Sequence, residues 1–237
     1  MPADKRIRIN KFICESGFCS RKAADMHVER GAVFVNGSQA RLGDKVMPGD
    51  KVTLDGLPIE PLPADKLAFI ALNKPVGVVC TAANVKSLNI VDFVGYHSRI
   101  FPVGRLDKNS QGLIFLTNRC DLVNKILGTG NRHEKEYDVT VSWKITETFL
   151  AHLRCGVPML GVVTKGCKVV KLSDYTFRIT LVQGLNRQIR RMCNYHGYSV
   201  QKLERIRIMH ITLSGLEIGQ WRKVAGNELS ALLTTLG

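Results

Sequence analysis

Acidic residues are scarce in this chain: 20 Asp/Glu stand against 34 Lys/Arg, a net charge of +14 over 237 residues. That imbalance points to a polyanionic partner, either nucleic acid or an anionic membrane surface. No run of about 18 apolar residues occurs, and no basic amphipathic helix stands out, so no membrane partner is expected. Nor does an apolar stretch follow Met1 to Arg6, so no secretory leader is expected. Seven cysteines, at 14, 19, 80, 120, 155, 167 and 193, include no Cys-x-x-Cys pair. Neither a zinc site nor a disulfide framework is expected from them. Scattered free thiols, acting as small buried hydrophobes, suit a reducing cytoplasm. The six histidines, at 27, 97, 133, 152, 196 and 210, show no metal-ligand spacing. No Walker or Rossmann motif, internal repeat or low-complexity tract is present, so no cofactor is expected. A hydrophobic content of 45% is sufficient for a core and excludes a disordered chain.

The chain divides where Pro58, Pro61 and Pro63 crowd residues 57–66, a composition that reads as an extended linker. Two domains follow, at 1–62 and 63–237. In the first, Ile9, Phe12 and Ile13 share a helical face, and Gly17 closes that helix. Ser20 is placed to cap a second helix over 21–30, ended by Gly31. A short strand then meets the Asn36-Gly37 turn, a strong hairpin signal, and Val46, Val52 and Leu54 continue the sheet. The second domain offers strands over 67–72, 113–116, 137–141, 167–170 and 176–182, and helices over 121–127, 147–154 and 186–195. Strands outnumber helices without strict alternation. The pattern predicts an α+β fold whose sheet is mixed and mostly antiparallel, not a Rossmann fold.

Charge is distributed unevenly. Residues 1–64 hold ten Lys/Arg against eight Asp/Glu, and residues 65–237 hold 24 against 12. The positive field therefore belongs mainly to the second domain. In the first, Lys5, Arg6, Arg8, Lys11, Arg21 and Lys22 gather near the start with only Asp4 and Glu15 close by.

One segment carries the chemistry: Gly104-Arg105-Leu106-Asp107-Lys108-Asn109-Ser110-Gln111-Gly112, leading into the apolar run Leu113 to Leu116 and then Thr117-Asn118. It sets a carboxylate between two cations at the mouth of a buried strand. A free aspartate, with a pKa of about 3.9, is ionised at neutral pH without a partner base. By residue type alone Asp107 reads as a turn residue salt-bridged to Arg105. A second element, Gln183 to Met192, follows a strand and opens a helix. Gly184 can supply its tight turn, and backbone N–H groups at the helix start favour phosphate. Arg187, Arg190 and Arg191 share a face there, which spacing alone reads equally as a solvated basic face. Tyr137, in the alternating run Lys135 to Val139, reads as packing. Leu72 to Gly77 leaves a strand through a Pro/Gly turn. His133 and His196 lie near these motifs but read as packed or surface side chains. Lys202 to Ile208 alternates like a strand with one basic face, open to RNA contact.

These strings resemble the motifs of pseudouridine synthases, in the ribosomal branch that carries an S4-type RNA-binding domain at its N-terminus. The helical segments Arg8 to Phe12 and Cys19 to Ala24 resemble the S4 signatures. The resemblance implies a cofactor-free isomerase that converts a uridine of structured RNA into pseudouridine. Ribosomal RNA of the large subunit is the favoured substrate, and a transfer RNA, alone or in addition, stays open; the sequence does not give the oligomeric state, for which a monomer is the default expectation. It implies Asp107 as the catalytic carboxylate, Arg190 as its ion-pair partner and Tyr137 as the residue packing on the target base. Arg105, Lys108, Arg187 and Arg191 around the cleft, and Lys11, Arg21 and Lys22 in the S4-like part, would meet RNA. The Leu72 to Gly77 motif would support the catalytic loop. Leu185 departs from the pattern, since many relatives carry a basic residue there, and no RNA contact is expected from it. Attack at C1′, addition at C6 and removal of a ribose proton all remain compatible with the sequence. Two other readings stand beside this one. A non-enzymatic RNA-binding or ribosome-assembly protein explains the charge but not the Asp107, Tyr137 and Arg190 set. A glycosidase or nuclease would need a second carboxylate or clustered metal-binding acids, and residues 66–133 hold only Asp92, Asp107 and Asp121.

Overall fold

The computed structural model describes residues 6–82, 86–128, 130 and 132–237; Lys5 lies outside them. It separates into two compact units, Met1–Ala68 with Thr117–Val123, and Phe69–Leu116 with Asn124–Gly237.

In the first unit the order is β1 (Ile7–Arg8), α1 (Ile9–Glu15), α2 (Arg21–Glu29), β2 (Val33–Val35), β3 (Ser38–Gln39), β4 (Lys45–Val46), β5 (Val52–Leu54) and β6 (Leu57–Ile59). Ile9, Phe12 and Ile13 of α1 meet Ala24 and Val28 of α2 over Val33, Val46, Val52 and Leu54 of the strands, forming one small core. The Ser20 hydroxyl accepts from the Ala23 N–H at 3.1 Å, capping α2. Asn36 and Gly37 both take positive φ, 50° and 81°, as the turn between β2 and β3 requires. Leu57–Ile59 corrects the linker expectation: it is a strand paired with β5. Pro58 is tolerated because β6 lies at the edge of the sheet order β3-β2-β5-β6.

The segment Thr117–Val123 belongs to this unit through specific bonds. The Asn118 side chain accepts from Ala68 N–H at 2.9 Å and donates to the Lys66 carbonyl at 2.9 Å. The Thr117 hydroxyl donates to the Ala68 carbonyl at 2.8 Å. Cys14 and Cys120 are joined by a disulfide, which corrects the expectation that every cysteine is free. The partners stand 106 residues apart, so no local spacing motif announces the pair.

The second unit continues with β7 (Phe69–Lys74), α3 (Ile90–Val94), β8 (Phe101–Val103), β9 (Gln111–Thr117), α4 (Cys120–Leu127), β10 (Lys135–Val141), α5 (Glu147–Cys155), β11 (Pro158–Met159), β12 (Val162–Val163), β13 (Lys168–Lys171), β14 (Thr176–Leu181), α6 (Gln188–Tyr195), β15 (Val200–Ile208), β16 (Ile211–Thr212), β17 (Trp221–Lys223) and α7 (Gly226–Leu236). Its main sheet runs β13-β14-β10-β15-β9-β7-β17, with β16 on β15 and β8 on β9. β15 and β9 are parallel, while β13/β14, β14/β10, β10/β15 and β7/β17 are antiparallel. The mixed, mostly antiparallel α+β sheet expected from the sequence is therefore present. β7 is buried along its whole length, and β10 alternates strictly, burying Lys135, Tyr137, Val139 and Val141.

Candidate active site

Asp107 sits in the loop between β8 and β9. Glycine brackets this loop, with Gly104 at φ 81° and Gly112 at φ 106°, a conformation that other residues adopt at a cost. The turn closes on itself, the Ser110 N–H donating to the Asp107 carbonyl at 3.0 Å. Two further bonds fix it from the Leu72 to Gly77 motif and its sequel. Gly77 N–H donates to the Lys108 carbonyl at 2.8 Å, and Leu106 N–H to the Cys80 sulfur at 3.3 Å. Beneath them Lys74 is fully buried. Its ammonium donates to the Pro75 and Val78 carbonyls at 2.7 and 2.9 Å, so one lysine pins the turn that pins the loop. Burial pulls the Lys74 pKa down, opposed by the charge of Asp107. Burial also raises the Cys80 thiol above its ordinary range, so it serves as a neutral acceptor.

The other wall comes from the start of α6. Gly184, expected to supply the tight turn, is not at positive φ; the left-handed residue here is Arg187, at φ 50° and ψ 36° as the N-cap. The Gln188 side chain caps back onto Leu185 N–H at 3.0 Å. The left-handed kink turns the Arg187 guanidinium toward the loop, where Nη1 donates to Asp107 Oδ2 at 3.1 Å. Arg190 Nε stands 3.6 Å from the same oxygen, within ion-pair range but beyond a good hydrogen bond. Its remaining nitrogens brace the loop: Nη2 donates to the Asn109 carbonyl at 2.9 Å and the Ser110 hydroxyl at 3.1 Å, and Nη1 to the Val200 carbonyl at 3.1 Å. Desolvation lowers the Arg190 pKa, and neighbouring Arg187 lowers it further, while Asp107 opposes both.

Asp107 and Tyr137 share the wall of a cavity of about 690 Å³, with Arg105, Lys108 and Arg187. Among the described residues lining it, Asp107 is the only carboxylate. Tyr137 is 9% exposed. Lys135 and Arg205, both buried, complete the inner wall. Lys135 donates to the His133 carbonyl at 3.1 Å, and burial lowers its pKa, with the Arg205 charge adding to the effect.

The remaining expected residues divide. Arg105 and Lys108 are exposed at the cavity mouth. Arg191 turns back to the Asn186 carbonyl at 3.1 Å and lines a separate hollow with Arg187, Arg190 and Tyr198. Lys11, Arg21 and Lys22 lie in the first unit; Lys11 pairs with Glu15 at 3.5 Å, and Arg21 and Lys22 are exposed. His196 stacks on His152 with centroids 4.8 Å apart. The single basic face expected of Lys202 to Ile208 does not form. β10 pairs Glu136 with Arg207 but Tyr137 with Arg205, skipping Ile206, and this bulge splits the cations between faces. Arg207 bonds Glu134 and Glu136 at 3.0 and 3.2 Å, Lys202 pairs with Glu204 at 2.8 Å, and Arg205 turns inward. Cys80, Lys74, Lys135 and Arg205 were not singled out by sequence. A charge at an inward position of an alternating strand was the available signal for Lys135.

Family-wide profiles match this chain twice: S4 domain over residues 7–52 and RNA pseudouridylate synthase over residues 68–195. The dual-specificity RNA pseudouridine synthase RluF of Escherichia coli K12 is 59% identical over 97% of this chain and 79% of its own length. The ribosomal large subunit pseudouridine synthase B of Bacillus subtilis is 31% identical over 95% of each chain. A pseudouridylate synthase crystal structure superposes with a TM-score of 0.70 at 27% identity, covering 97% of this chain and 99% of its own.

Proposed function

Since this chain belongs to the RNA pseudouridylate synthases, as a member with an S4 domain, we propose that its cavity isomerises a uridine of folded RNA with Asp107 as the catalytic group. The observation that carries this reading is one carboxylate, held between Arg187 and Arg190 in a cavity whose described charged lining is otherwise cationic and which also holds Tyr137. The uridine must leave its stack, because the reacting atoms are inaccessible inside a helix. Tyr137 packs on the extruded base, a contact worth about 1–3 kcal/mol. Asp107 then acts on the nucleotide: the N1–C1′ bond breaks, the base turns, and C5 bonds to C1′. N1 ends protonated and the C5 proton is released, so no outside reactant is consumed. Arg190 holds the loop and the charge of Asp107; Arg105, Lys108, Arg187 and Arg191 take the flanking phosphates. The S4 domain docks on a stem or loop through Lys11, Arg21 and Lys22, reading shape more than sequence.

We further propose large-subunit ribosomal RNA as substrate, with a transfer RNA as the second, and a monomer working in the cytoplasm. The name of the Bacillus subtilis relative supports the ribosomal part, and the excess of cations over residues 65–237 suits a polyanionic RNA at the catalytic domain. The test is pseudouridine mapping of ribosomal and transfer RNA from cells lacking the protein, complemented by wild type or by Asp107→Asn. The expected result is one or more sites lost, restored by wild type only. Restoration by Asp107→Asn removes the catalytic assignment, and unchanged maps remove the proposed substrates.

A further inference from the structure

Arg205 is 5% exposed. Its Nε donates to the Leu113 carbonyl at 2.6 Å, which fixes the plane of the guanidinium. Its Nη2 is buried and meets no hydrogen-bond partner among the described residues. A buried guanidinium arm without an acceptor is costly and calls for one. The side chain belongs to the cavity wall, and its Cζ lies 6.0 Å from the centroid of the Tyr137 ring. The placement follows from register, since Arg205 pairs with Tyr137 on one side and Gly112 on the other. We propose that Arg205 is a base-reading residue, whose free arm donates to a carbonyl oxygen of the extruded uracil lying against Tyr137.

The proposal rests on the pseudouridine synthase reading of the cavity. Depth selects the base over the phosphate. Arg105, Lys108 and Arg187 are exposed at the mouth, where a backbone that remains outside presents its phosphates, whereas Arg205 is buried beside the aromatic ring. A guanidinium only donates. It therefore donates to O4 of uracil and opposes the amino group that cytosine carries at that position, leaving donors unpaired against the wrong base. Uracil presents a second carbonyl oxygen, O2, and the two oxygens are separable by experiment.

A stem-loop RNA spanning a site that the pseudouridine mapping assigns to this protein is synthesised with uridine, 2-thiouridine or 4-thiouridine at the target position. Sulfur is a poor acceptor, so the oxygen that Arg205 contacts is revealed by the slower substrate. Single-turnover rates are compared for wild type, Arg205→Met and Arg205→Gln; the amide of the latter keeps a donor for Leu113 but lacks the second arm. Wild type is expected to lose about tenfold on one thio substrate, the scale of one weakened charged hydrogen bond, and both variants to lose that discrimination. Loss of folded protein scales all three substrates equally, so the ratio survives a destabilised variant. Equal wild-type rates on the three RNAs, or the same thio penalty in wild type and variants, overturns the assignment. Absence of pseudouridine from the uridine RNA in wild type instead rejects the synthase reading itself.

Discussion

Gly112 faces Arg205 across the parallel pair of β9 and β15, and a methyl group on Gly112 would lie 2.3 Å from the Arg205 carbonyl oxygen. No flexible side chain is available to yield, because the obstructing atoms are backbone. The glycine of the Asp107 loop thus has two duties, a positive φ and a close strand approach.

Gly112→Ala is therefore expected to destabilise the protein by more than the roughly 1–3 kcal/mol typical of overpacking, since φ 106° is strained as well. Urea midpoints at constant m-value measure the effect. An unchanged midpoint would show that the two strands can separate without loss.

Arg190 and Arg187 touch the same carboxylate oxygen but are expected to fail differently. Arg190→Lys removes the fork that braces Asn109, Ser110 and Val200, and lysine cannot reproduce it. The rate should fall by on the order of 10²-fold or more with RNA affinity nearly intact. Arg187→Ala should weaken RNA binding and make its salt dependence shallower by about one unit. Filter binding across a salt series, beside single-turnover rates, separates the two. Equal behaviour of both variants contradicts the division of labour.

His196 gives a pH dependence with a definite sign. Burial first, then the neighbouring His152, holds its pKa below the ordinary 6.5, and its Nε2 is buried without a partner among the described residues. The unfolded chain therefore binds more protons than the folded one just below pH 6.5. Stability falls as pH falls through that window and is indifferent to this group above it. Urea midpoints at pH 7.5 and 5.5 should drop on acidification, and drop less in His196→Gln. The comparison avoids the glutamates Glu136, Glu204 and Glu228, whose pKa values lie below the ordinary 4.5. An equal drop in both proteins assigns the effect elsewhere.

Thiol chemistry checks the disulfide. Denatured protein prepared without reductant should titrate five thiols, Cys19, Cys80, Cys155, Cys167 and Cys193, and seven after reduction. In the native state Cys155, which is exposed, should react first. Burial pushes Cys167 to about 11 and Cys193 to about 12, so these should react slowly. Seven thiols without reductant would mean that Cys14 and Cys120 remain apart.

Much of this was legible in the residues because the relevant patterns are local. Ser20 announced a cap, Asn36-Gly37 a hairpin, and the alternation around Tyr137 a half-buried strand. The proximity of Asp107 and Arg190 was legible only through motif resemblance, since 83 residues separate them along the chain. Other features depend on partners distant in sequence. The bulge at Ile206 carries no glycine to mark it, so Arg205 and Arg207 looked alike until register sent one to the cavity and the other to Glu136. Arg187, not Gly184, took the left-handed turn, because the bond to Asp107 and the Gln188 cap favour the kink there. Pro58 looked like a break but occupies an edge, where a missing N–H costs nothing. The short α3 and the C-terminal α7 were not anticipated; α7 has no side-chain cap to announce it.

The strap formed by Thr117, Asn118 and Cys120 bears on how the protein can be dissected. Its acceptors and its sulfur partner all come from residues 14–68, so cutting the chain at a convenient proline does not yield a clean remainder. A truncated enzyme would keep Lys66 and Ala68 for Asn118 and Thr117 but carry the Cys120 thiol without Cys14, and cross-linking or lost solubility would be mistaken for lost recognition. Point charges reversed on Arg21 and Lys22 interrogate docking while leaving every knot of the strap tied.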